Sequence, residues 1–239
     1  GTEDLFDIHF VDADHGWIAG ANGTILHTAN GGVSWVPETI PYADSFHVLF
    51  MFTTGEDVRG WVLGQDRGDI LYYDGQRWDL HEGMTGYSFS ALSMTSPEEG
   101  WATTLGGQLV EYRNNSWGYR VLQRSAGELH DVHLVSDSHG WAVGERGTLL
   151  YYDGSDWMAI TSQTNRDLFG IHVTGTGRGW AVGERGTLLY YEGDFDWSDK
   201  TDYFGTRTHW NLRDVYLDES ALWGWAVGEN GLILKYTVP

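Results

Sequence analysis

The segment Gly140–Tyr152 reads GWAVGERGTLLYY, and the same thirteen residues recur at Gly179–Tyr191. Looser copies start at other Gly-Trp pairs, and the six pairs begin at Gly16, Gly60, Gly100, Gly140, Gly179 and Gly224. A repeat with a period near forty residues is typical of an array of similar supersecondary units. Six such units account for nearly all of the 239 residues, so this repeat constrains the fold more than any other feature.

Each unit contains four short runs that favour β-strands. In the unit around Gly140 the runs are Leu129–Val135, Trp141–Gly144, Thr148–Tyr152 and one that begins near Trp157. Runs rich in Val, Ile, Thr, Tyr and Trp, separated by Gly and Asp, indicate strands joined by hairpins. Four connected strands per unit are typical of a β-propeller blade. We predict an all-β, six-bladed propeller, with blades starting near residues 5, 45, 88, 129, 168 and 212. Residues 1–239 are predicted to form a single domain.

The tryptophans follow the same repeat. The first Trp of each unit lies in the second strand: Trp17, Trp61, Trp101, Trp141, Trp180 and Trp225. A second Trp marks the fourth strand of five units: Trp35, Trp78, Trp117, Trp157 and Trp197. Tryptophan also serves as a sugar-binding platform, but residues placed by the repeat are expected to pack between blades.

The sixth unit ends before its second Trp. In the other units this Trp lies 16 to 18 residues after the first, as from Trp101 to Trp117 and from Trp17 to Trp35. After Trp225 that interval would place the second Trp at or beyond residue 241, whereas the last residue is Pro239. We therefore predict a three-stranded last blade with Leu232–Thr237 as an open edge, which natural proteins normally cover. An upstream segment or a strand donated by a partner would cover it, whereas Lys235 within the edge would deter pairing.

Composition restricts the partners and the chemistry. Asp and Glu number 34 against 14 Lys and Arg, which gives a formal net charge of −20. Such a surface repels phosphate, so we expect neither nucleic acid nor anionic membrane as a partner. The chain has no cysteine, which excludes a disulfide framework and a thiolate metal site. We expect no cofactor and no metal. No signal peptide is visible in this chain, so we expect any leader to lie outside it.

The motif G-W-A-V-G-x-x-G-T-[IL]-L-x-[TY] and the turn Asn30-Gly31-Gly32-Val33-Ser34-Trp35 resemble those of the photosystem II stability/assembly factor-like propellers. These belong to the wider group with Asp-box (BNR) repeats. The turn Asp-Gly-x-x-Trp of the later blades is similar to a shortened Asp-box. The resemblance covers all six units, and blade three departs from it at Trp101-Ala-Thr-Thr104.

The resemblance implies a non-catalytic, extracytoplasmic protein that helps to assemble or stabilise a membrane-associated complex. Docking by the photosynthetic members is tied to a basic patch, whereas this chain is strongly acidic. We therefore expect an assembly or structural role in another extracytoplasmic complex. One alternative is a lectin-like sugar binder. Another, less favoured, is a glycoside hydrolase of sialidase-like fold. That chemistry needs an arginine cluster and paired catalytic groups, which the repeat does not supply.

Three histidines share one position of the innermost strand, His9, His133 and His172, and Tyr216 holds it in blade six. Three imidazoles around a channel would suit zinc. However, we place Leu49 and Leu92 at the same position in blades two and three, and blades one, four and five are not all adjacent. We therefore favour a packing position with one hydrogen bond per imidazole.

Two groups of residues are predicted to bind a partner. Arg67, Arg146 and Arg185 hold equivalent places in the turns between strands two and three, and would suit a carboxylate-bearing partner. The alternative is exposed ion pairs with neighbours such as Glu145 and Glu184. The second group lies in the long link between blades five and six, residues 194–211, where aromatic side chains exceed the needs of the repeat: Phe195, Tyr203, Phe204 and Trp210. These aromatics either recognise a partner or pack beneath their own loop.

Overall fold

The computed structural model describes residues 2–55, 57–120, 127–201 and 209–237. Across these ranges the chain forms antiparallel β-sheets and short 3₁₀ turns, and no α-helix is present. The turns span Ala21–Gly23, Glu145–Gly147, Glu184–Gly186 and Glu229–Gly231. No helix in the described ranges is long and apolar enough to cross a membrane. Two compact units are present, one with residues 1–106 and 111–118, the other with residues 107–110 and 119–239.

The first unit contains two four-stranded sheets and most of a third. In each sheet the strands follow one another in chain order, as hairpins require. The strands of blade one are β1 (Leu5–Phe10), β2 (His15–Gly20), β3 (Ile25–Ala29) and β4 (Val36–Pro37). Those of blade two are β5 (Phe46–Thr54), β6 (Asp57–Gly64), β7 (Asp69–Tyr73) and β8 (Trp78–Gly83). Those of blade three are β9 (Phe89–Ser96), β10 (Glu99–Thr104), β11 (Leu109–Arg113) and β12 (Ser116–Arg120).

The second unit contains two four-stranded sheets and one three-stranded sheet, again in chain order. The strands of blade four are β13 (Leu129–Ser136), β14 (His139–Gly144), β15 (Leu149–Tyr152) and β16 (Trp157–Ala159). Those of blade five are β17 (Leu168–Val173), β18 (Gly179–Gly183), β19 (Leu188–Tyr191) and β20 (Trp197–Asp199). Those of blade six are β21 (Leu212–Leu217), β22 (Trp223–Gly228) and β23 (Ile233–Thr237).

These sheets confirm the predicted blades. The inner strands begin at Leu5, Phe46, Phe89, Leu129, Leu168 and Leu212, each within one residue of the predicted start. The last blade has three strands, with β23 at its edge. Glu3 and Asp4 bond instead within blade one, where the Glu3 carboxylate accepts from the Asn22 side chain and the Asp4 carbonyl accepts from the Ala21 amide. They therefore do not supply the missing strand.

Each unit has its own apolar core, built between consecutive blades. In the first unit Trp17 and Ile25 of blade one pack with Phe46, Leu49 and Met51 of blade two. The same arrangement recurs in the second unit, where blade four packs on blade five and blade five on blade six. Burial of each large aromatic or aliphatic side chain in these interfaces stabilises the folded state by about 1.5–3 kcal/mol, because its apolar surface is removed from water.

The repeat tryptophans pack as predicted in most blades. Those of the second strands are at most 4 % exposed at Trp17, Trp61, Trp101, Trp141 and Trp180. Trp225 of blade six departs from this rule because 40 % of its surface is exposed. Trp35 lies just before β4 rather than within it, since Gly31 and Gly32 both adopt positive φ and lengthen the preceding turn.

A glycine precedes the third strand in every blade because the turn there requires a left-handed backbone. The φ angles of Gly23, Gly68, Gly107, Gly147, Gly186 and Gly231 all lie between 71° and 76°. At Gly147 a Cβ atom would also lie 2.1 Å from the carbonyl oxygen of Thr164. Backbone geometry therefore accounts for these glycines without a ligand.

Candidate functional site

Two identical turns of the second unit hold arginines at fixed positions. Arg146 and Arg185 each lie at the centre of a Glu-Arg-Gly turn, with φ of 53°. This left-handed conformation is uncommon for a residue with a side chain, and the start of the next blade supports it. The Arg146 amide donates to the Asp167 side chain at 2.8 Å, and the Arg185 amide donates to the Asn211 side chain at 2.9 Å. Both arginine backbones are thereby anchored.

The guanidinium groups of these arginines form only weak ion pairs. Arg146 lies 3.5 Å from the Glu145 carboxylate and Arg185 lies 3.4 Å from that of Glu184. The two arginine side chains are 78 % and 66 % exposed. Exposed pairs of this kind contribute about 0–1 kcal/mol. The ion pairs expected as the alternative therefore exist, but each guanidinium retains donors for a further carboxylate.

Both arginines line one large cavity of about 1210 Å³ in the second unit. Its wall includes the link from blade four to blade five, residues 160–166, which is mostly polar. Arg166 and Lys200 also line the cavity, and both are half-buried. Among the described residues, the lining holds four permanent cations, one carboxylate, that of Asp199, and His209. The carboxylates of Glu145 and Glu184 pair with two of these cations, Arg146 and Arg185. We call this site, lined by Arg146, Arg166, Arg185 and Lys200, the basic pocket.

Local hydrogen bonds position Arg166 and Lys200, the two cations that the sequence repeat does not indicate. The Arg166 guanidinium donates to the Thr187 hydroxyl at 3.4 Å, and the Arg166 amide donates to the Thr164 hydroxyl at 3.2 Å. The Lys200 amide donates to the Leu188 carbonyl at 2.8 Å. Arg166 and Lys200 lie in links between blades, where the repeat is least regular. The only sequence signal for Lys200 is the rarity of lysine, since Lys235 is the only other one.

Arg67, the third predicted arginine, belongs to the first unit. Its side chain is exposed, and its amide donates to the buried carboxylate of Asp44 at 3.1 Å. Unlike Arg146, it does not adopt positive φ, because the turn Gln65–Gly68 is one residue longer than Glu145–Gly147. Its part in a shared binding surface remains a prediction.

The aromatic residues of the link between blades five and six differ in how they pack. The Phe195 ring lies 4.8 Å from that of Tyr151 and 6.3 Å from that of Trp141, yet 48 % of the residue is exposed. Phe195 thus packs onto blade four, which favours a local packing role. Trp210 is 49 % exposed and directly follows His209 of the basic pocket. The predicted residues Tyr203 and Phe204 lie outside the described residues.

The histidines of the inner strands pack against one another. The rings of His133 and His172 lie 4.3 Å apart, and the Leu217 amide donates to His172 Nδ1 at 2.7 Å. Burial, with a smaller contribution from His172, lowers the pKa of His133 to about 3. Burial also lowers the pKa of His172. Both rings are therefore neutral near pH 7, and His172 accepts a hydrogen bond from the Leu217 amide.

The assignment of this position in blades two and three was wrong by one residue. His133 and His172 pair with Trp141 and Trp180 across the hairpin. The residues that pair with the corresponding tryptophans of blades two and three are Phe50 and Ser93, not Leu49 and Leu92. Leu49 instead points into the core with 4 % exposure. Without coordinates, the bulge near the start of each inner strand left this alternation undefined. Among the described residues, no cluster of three or more His, Asp and Glu has the arrangement of a metal site.

Comparison with known families identifies the repeat. The family model described as photosynthesis system II assembly factor YCF48 matches residues 2–79 and 67–192. These matches cover well over half of the chain. The chain belongs to this family.

Curated relatives agree with that membership. A photosystem II assembly lipoprotein Ycf48 from Synechococcus sp. (strain CC9902) is 28 % identical over 152 residues, which cover 59 % of this chain and 44 % of the relative. The Ycf48 lipoprotein of Synechocystis sp. is 36 % identical over 78 residues, which cover 31 % of this chain and 21 % of that protein. The chloroplastic photosystem II stability/assembly factor HCF136 of Oryza sativa is 40 % identical over 65 residues, or 26 % of this chain and 16 % of the relative. The chain thus spans less than half the length of these three relatives.

Solved structures of the family share the fold. A structure titled "YCF48 bound to D1 peptide" superposes with a TM-score of 0.64 at 18 % identity and covers 100 % of this chain and 93 % of its own. A YCF48 from Cyanidioschyzon merolae gives a TM-score of 0.62 at 16 % identity, with 98 % and 95 % covered. At this identity the likeness establishes the fold alone. The fold class is an all-β, six-bladed β-propeller whose last blade has three strands.

Proposed function

We propose that this chain is a non-catalytic protein-binding module that acts in the assembly of a photosystem II-type membrane complex. The observation that carries the proposal is the basic pocket, whose described lining brings four cations together in a chain of net charge −20. Two of them, Arg146 and Arg185, are only weakly paired with Glu145 and Glu184. Family membership supports it, because the family and its curated relatives are described as photosystem II assembly factors. This replaces the expectation of an unrelated complex, which rested on the acidity of the whole chain.

A local cluster of cations can act within an acidic protein because salt screens distant charges. The Debye length is about 8 Å at physiological ionic strength. A ligand seated between Arg146 and Arg185 therefore interacts mainly with the pocket and only weakly with acidic residues on remote blades. Guanidinium groups bind carboxylates through two parallel hydrogen bonds, at about twice the strength of neutral ones. We infer that the ligand is a polypeptide segment that presents carboxylates.

The lining of the basic pocket favours a peptide over a small molecule. Its polar wall, residues 161–165, offers backbone and hydroxyl groups that suit an extended chain. A solved family member is titled as bound to a D1 peptide, and we infer a peptide of that kind for this chain.

The location and the domain organisation are part of the proposal. Relatives are named as lipoproteins or as chloroplastic proteins, in line with an extracytoplasmic or lumenal site of action. We infer that residues 1–239 act as one propeller domain and that the partner belongs to a membrane-associated complex. Phe195 packs on blade four, which argues against a sugar-binding role for that ring.

The proposal is tested by binding of a fluorescently labelled D1 peptide, measured by anisotropy. We expect the double variant Arg146→Glu/Arg185→Glu to bind at least tenfold more weakly than the unaltered chain. Arg77→Glu is the matched control, because Arg77 is 73 % exposed and pairs with Asp79 in blade two, far along the sequence from the pocket. Binding should weaken with added salt in the unaltered chain and much less in the double variant.

Two results would contradict the proposal. One is equal affinity of the double variant and the Arg77→Glu control for the peptide. The other is equal binding of a peptide whose carboxylates are all amidated, since this would remove the basis for recognition by arginine. Circular dichroism of each variant shows whether the fold is retained. Charge reversal at Arg67 in the same assay tests whether the first unit contributes.

A further inference from the structure

The wall of the basic pocket contains a residue in an uncommon backbone conformation. Gln163, which lines the pocket, has a φ of 58°, in the left-handed region. Glycine adopts this conformation without strain and Asn or Asp adopt it at times, whereas it is unfavourable for a longer side chain such as Gln. Strained residues of this kind occur most often at functional sites, where the surrounding contacts maintain them. Gln163 is therefore a candidate for a role in binding.

Neighbouring residues hold Gln163 in this conformation. The Ser162 hydroxyl donates to the Thr164 carbonyl at 3.1 Å and closes a tight loop around Gln163. Ser162 is 5 % exposed. A Cβ atom at Gly147 of the preceding turn would lie 2.7 Å from the Ser162 hydroxyl and 2.1 Å from the Thr164 carbonyl oxygen. The Arg166 amide donates to the Thr164 hydroxyl at 3.2 Å. Contacts on both sides of Gln163 thus impose its conformation.

The repeat itself does not require a left-handed residue at this place. The turns of blades one and two approach the following link as closely, because a Cβ atom at Gly23 would lie 2.1 Å from a link carbonyl oxygen and one at Gly68 would lie 2.2 Å from another. The residues that directly precede these two carbonyl groups are Pro41 and Gly83. Neither has a positive φ, although glycine could adopt one without strain. The conformation of Gln163 is therefore a property of the link from blade four to blade five.

The fold makes no use of the Gln163 side chain. The residue is exposed, and its side-chain amide has no hydrogen-bond partner among the residues that the structure describes. A primary amide has two N–H donors and one carbonyl acceptor, whereas Lys and Arg side chains only donate. Gln163 can therefore donate and accept at the same time. A peptide unit of an extended chain offers the complementary pair of groups, one carbonyl and one N–H.

We propose that Gln163 binds the main chain of the ligand through two hydrogen bonds between its side-chain amide and one peptide unit. This inference rests on the proposed function, in which the cations of the basic pocket hold the carboxylates of a polypeptide segment. The pocket then selects an extended segment with an unsubstituted backbone N–H near a carboxylate. The constrained loop holds the amide in place before the ligand arrives, which reduces the entropy lost on binding.

The test measures binding of the labelled D1 peptide by anisotropy. Gln163→Ala removes the amide and should weaken binding about three- to tenfold, the loss expected of one or two neutral hydrogen bonds. The salt dependence of binding should remain that of the unaltered chain, because no charge is removed. Gln76→Ala is the matched control, since Gln76 is also exposed and lies in a turn of blade two.

A methyl scan of the peptide separates direct contact from an indirect effect on the pocket. Each backbone N–H of the peptide is methylated in turn, which removes one donor at a time. Methylation at one position should weaken binding to the unaltered chain about as much as Gln163→Ala does. The two changes together should weaken binding no more than either change alone, because they remove the same contact. A structural role of Gln163 would instead give losses that multiply at every position.

Gln163→Asn tests the strain without any ligand. Asn adopts the left-handed conformation more readily than Gln, so this variant should melt about 1–4 °C higher than the unaltered chain. Its amide is shorter by one methylene group and should bind the peptide at least twofold more weakly. Higher stability would thus accompany lower affinity.

Four results would overturn the proposal. Equal affinity of Gln163→Ala and Gln76→Ala, with weak binding by Arg146→Glu/Arg185→Glu, would exclude Gln163 from the site and leave the proposed function intact. Multiplicative losses at every methylated position would exclude a direct contact. A melting temperature of Gln163→Asn at or below that of the unaltered chain would remove the argument from strain, whether or not the peptide binds. If the unaltered chain does not bind the peptide, the proposed function fails and this inference fails with it.

Discussion

Replacement of Asp44 by alanine measures how strongly one buried carboxylate stabilises the turn that carries Arg67. Asp44 has no exposed surface. Its oxygens accept hydrogen bonds from the backbone amides of Ser45 at 2.8 Å, Asp66 at 2.9 Å, Arg67 at 3.1 Å and Asp69 at 3.0 Å. Alanine would leave all four amides without this acceptor.

The expected loss follows from these bonds. A hydrogen bond contributes about 0.5–1.5 kcal/mol net, and more when one partner is charged. Four such bonds predict that Asp44→Ala lowers the free energy of unfolding by about 2–6 kcal/mol, towards the upper end because the acceptor is charged. Asp44→Asn retains one acceptor oxygen and should lose about half as much. Asp167→Ala is the matched control, because Asp167 also precedes an inner strand but its carboxylate holds one turn amide, that of Arg146 at 2.8 Å. Its loss should be about 1 kcal/mol.

The assay is urea unfolding followed by tryptophan fluorescence, with hydrogen exchange of residues 64–69 as a local probe. Gly64 supplies an independent check, because a Cβ atom there would lie 1.8 Å from Asp44 Oδ2. Gly64→Ala should displace the carboxylate, so the double variant with Asp44→Ala should lose less than the sum of the single losses. The reasoning fails if Asp44→Ala costs no more than Asp167→Ala, or if the two changes at residues 44 and 64 are additive.

Three further changes test the packing of the second unit. The pKa of His133 is lowered from 6.5 to about 3 in the folded state, so the unfolded chain binds the proton first as pH falls. This group should therefore lower the free energy of unfolding by about 2 kcal/mol between pH 7 and pH 5. His133→Phe should remove this part of the pH dependence, measured by urea unfolding at each pH. Trp141→Ala should lower the free energy of unfolding by about 3–5 kcal/mol. Trp210→Ala should lower it by less than about 1 kcal/mol in the same measurement, because Trp210 is half-exposed. Gly147→Ala should lower the melting temperature much more than Gly177→Ala, since both glycines have positive φ but only Gly147 faces a carbonyl oxygen at 2.1 Å.

Most of the fold could be predicted from the sequence, because the signals of the repeat lie close together along the chain. Alternation of apolar residues, turn glycines and the interval between tryptophans all act within about forty residues. They were sufficient for the start of every blade and for the three-stranded blade six. The error at Leu49 and Leu92 has a local cause too. A bulge shifts the alternation of the inner strand by one residue. The runs Phe46–Phe52 and Phe89–Met94 mix apolar and polar residues without a strict alternation that would reveal the shift.

The basic pocket was only partly predictable. Arg146 and Arg185 stood out because the repeat assigns them one position. Arg166 and Lys200 did not, because they lie in links whose conformation no neighbouring unit repeats. Their approach to the arginines depends on bonds to Thr187 and Leu188 in a different strand or turn. Such long-range partners cannot be read from a run of residues.

The sequence by itself determined the number of blades, their strands and the glycine positions, because the backbone conformations involved are set by residues close together in the chain. Only the tertiary structure decided which side chains share a cavity and which faces remain exposed. Trp141 and Trp225 occupy the same place in the repeat, yet one is 2 % and the other 40 % exposed. The difference lies in what packs against each blade, and burial is a property of that neighbour as much as of the residue itself.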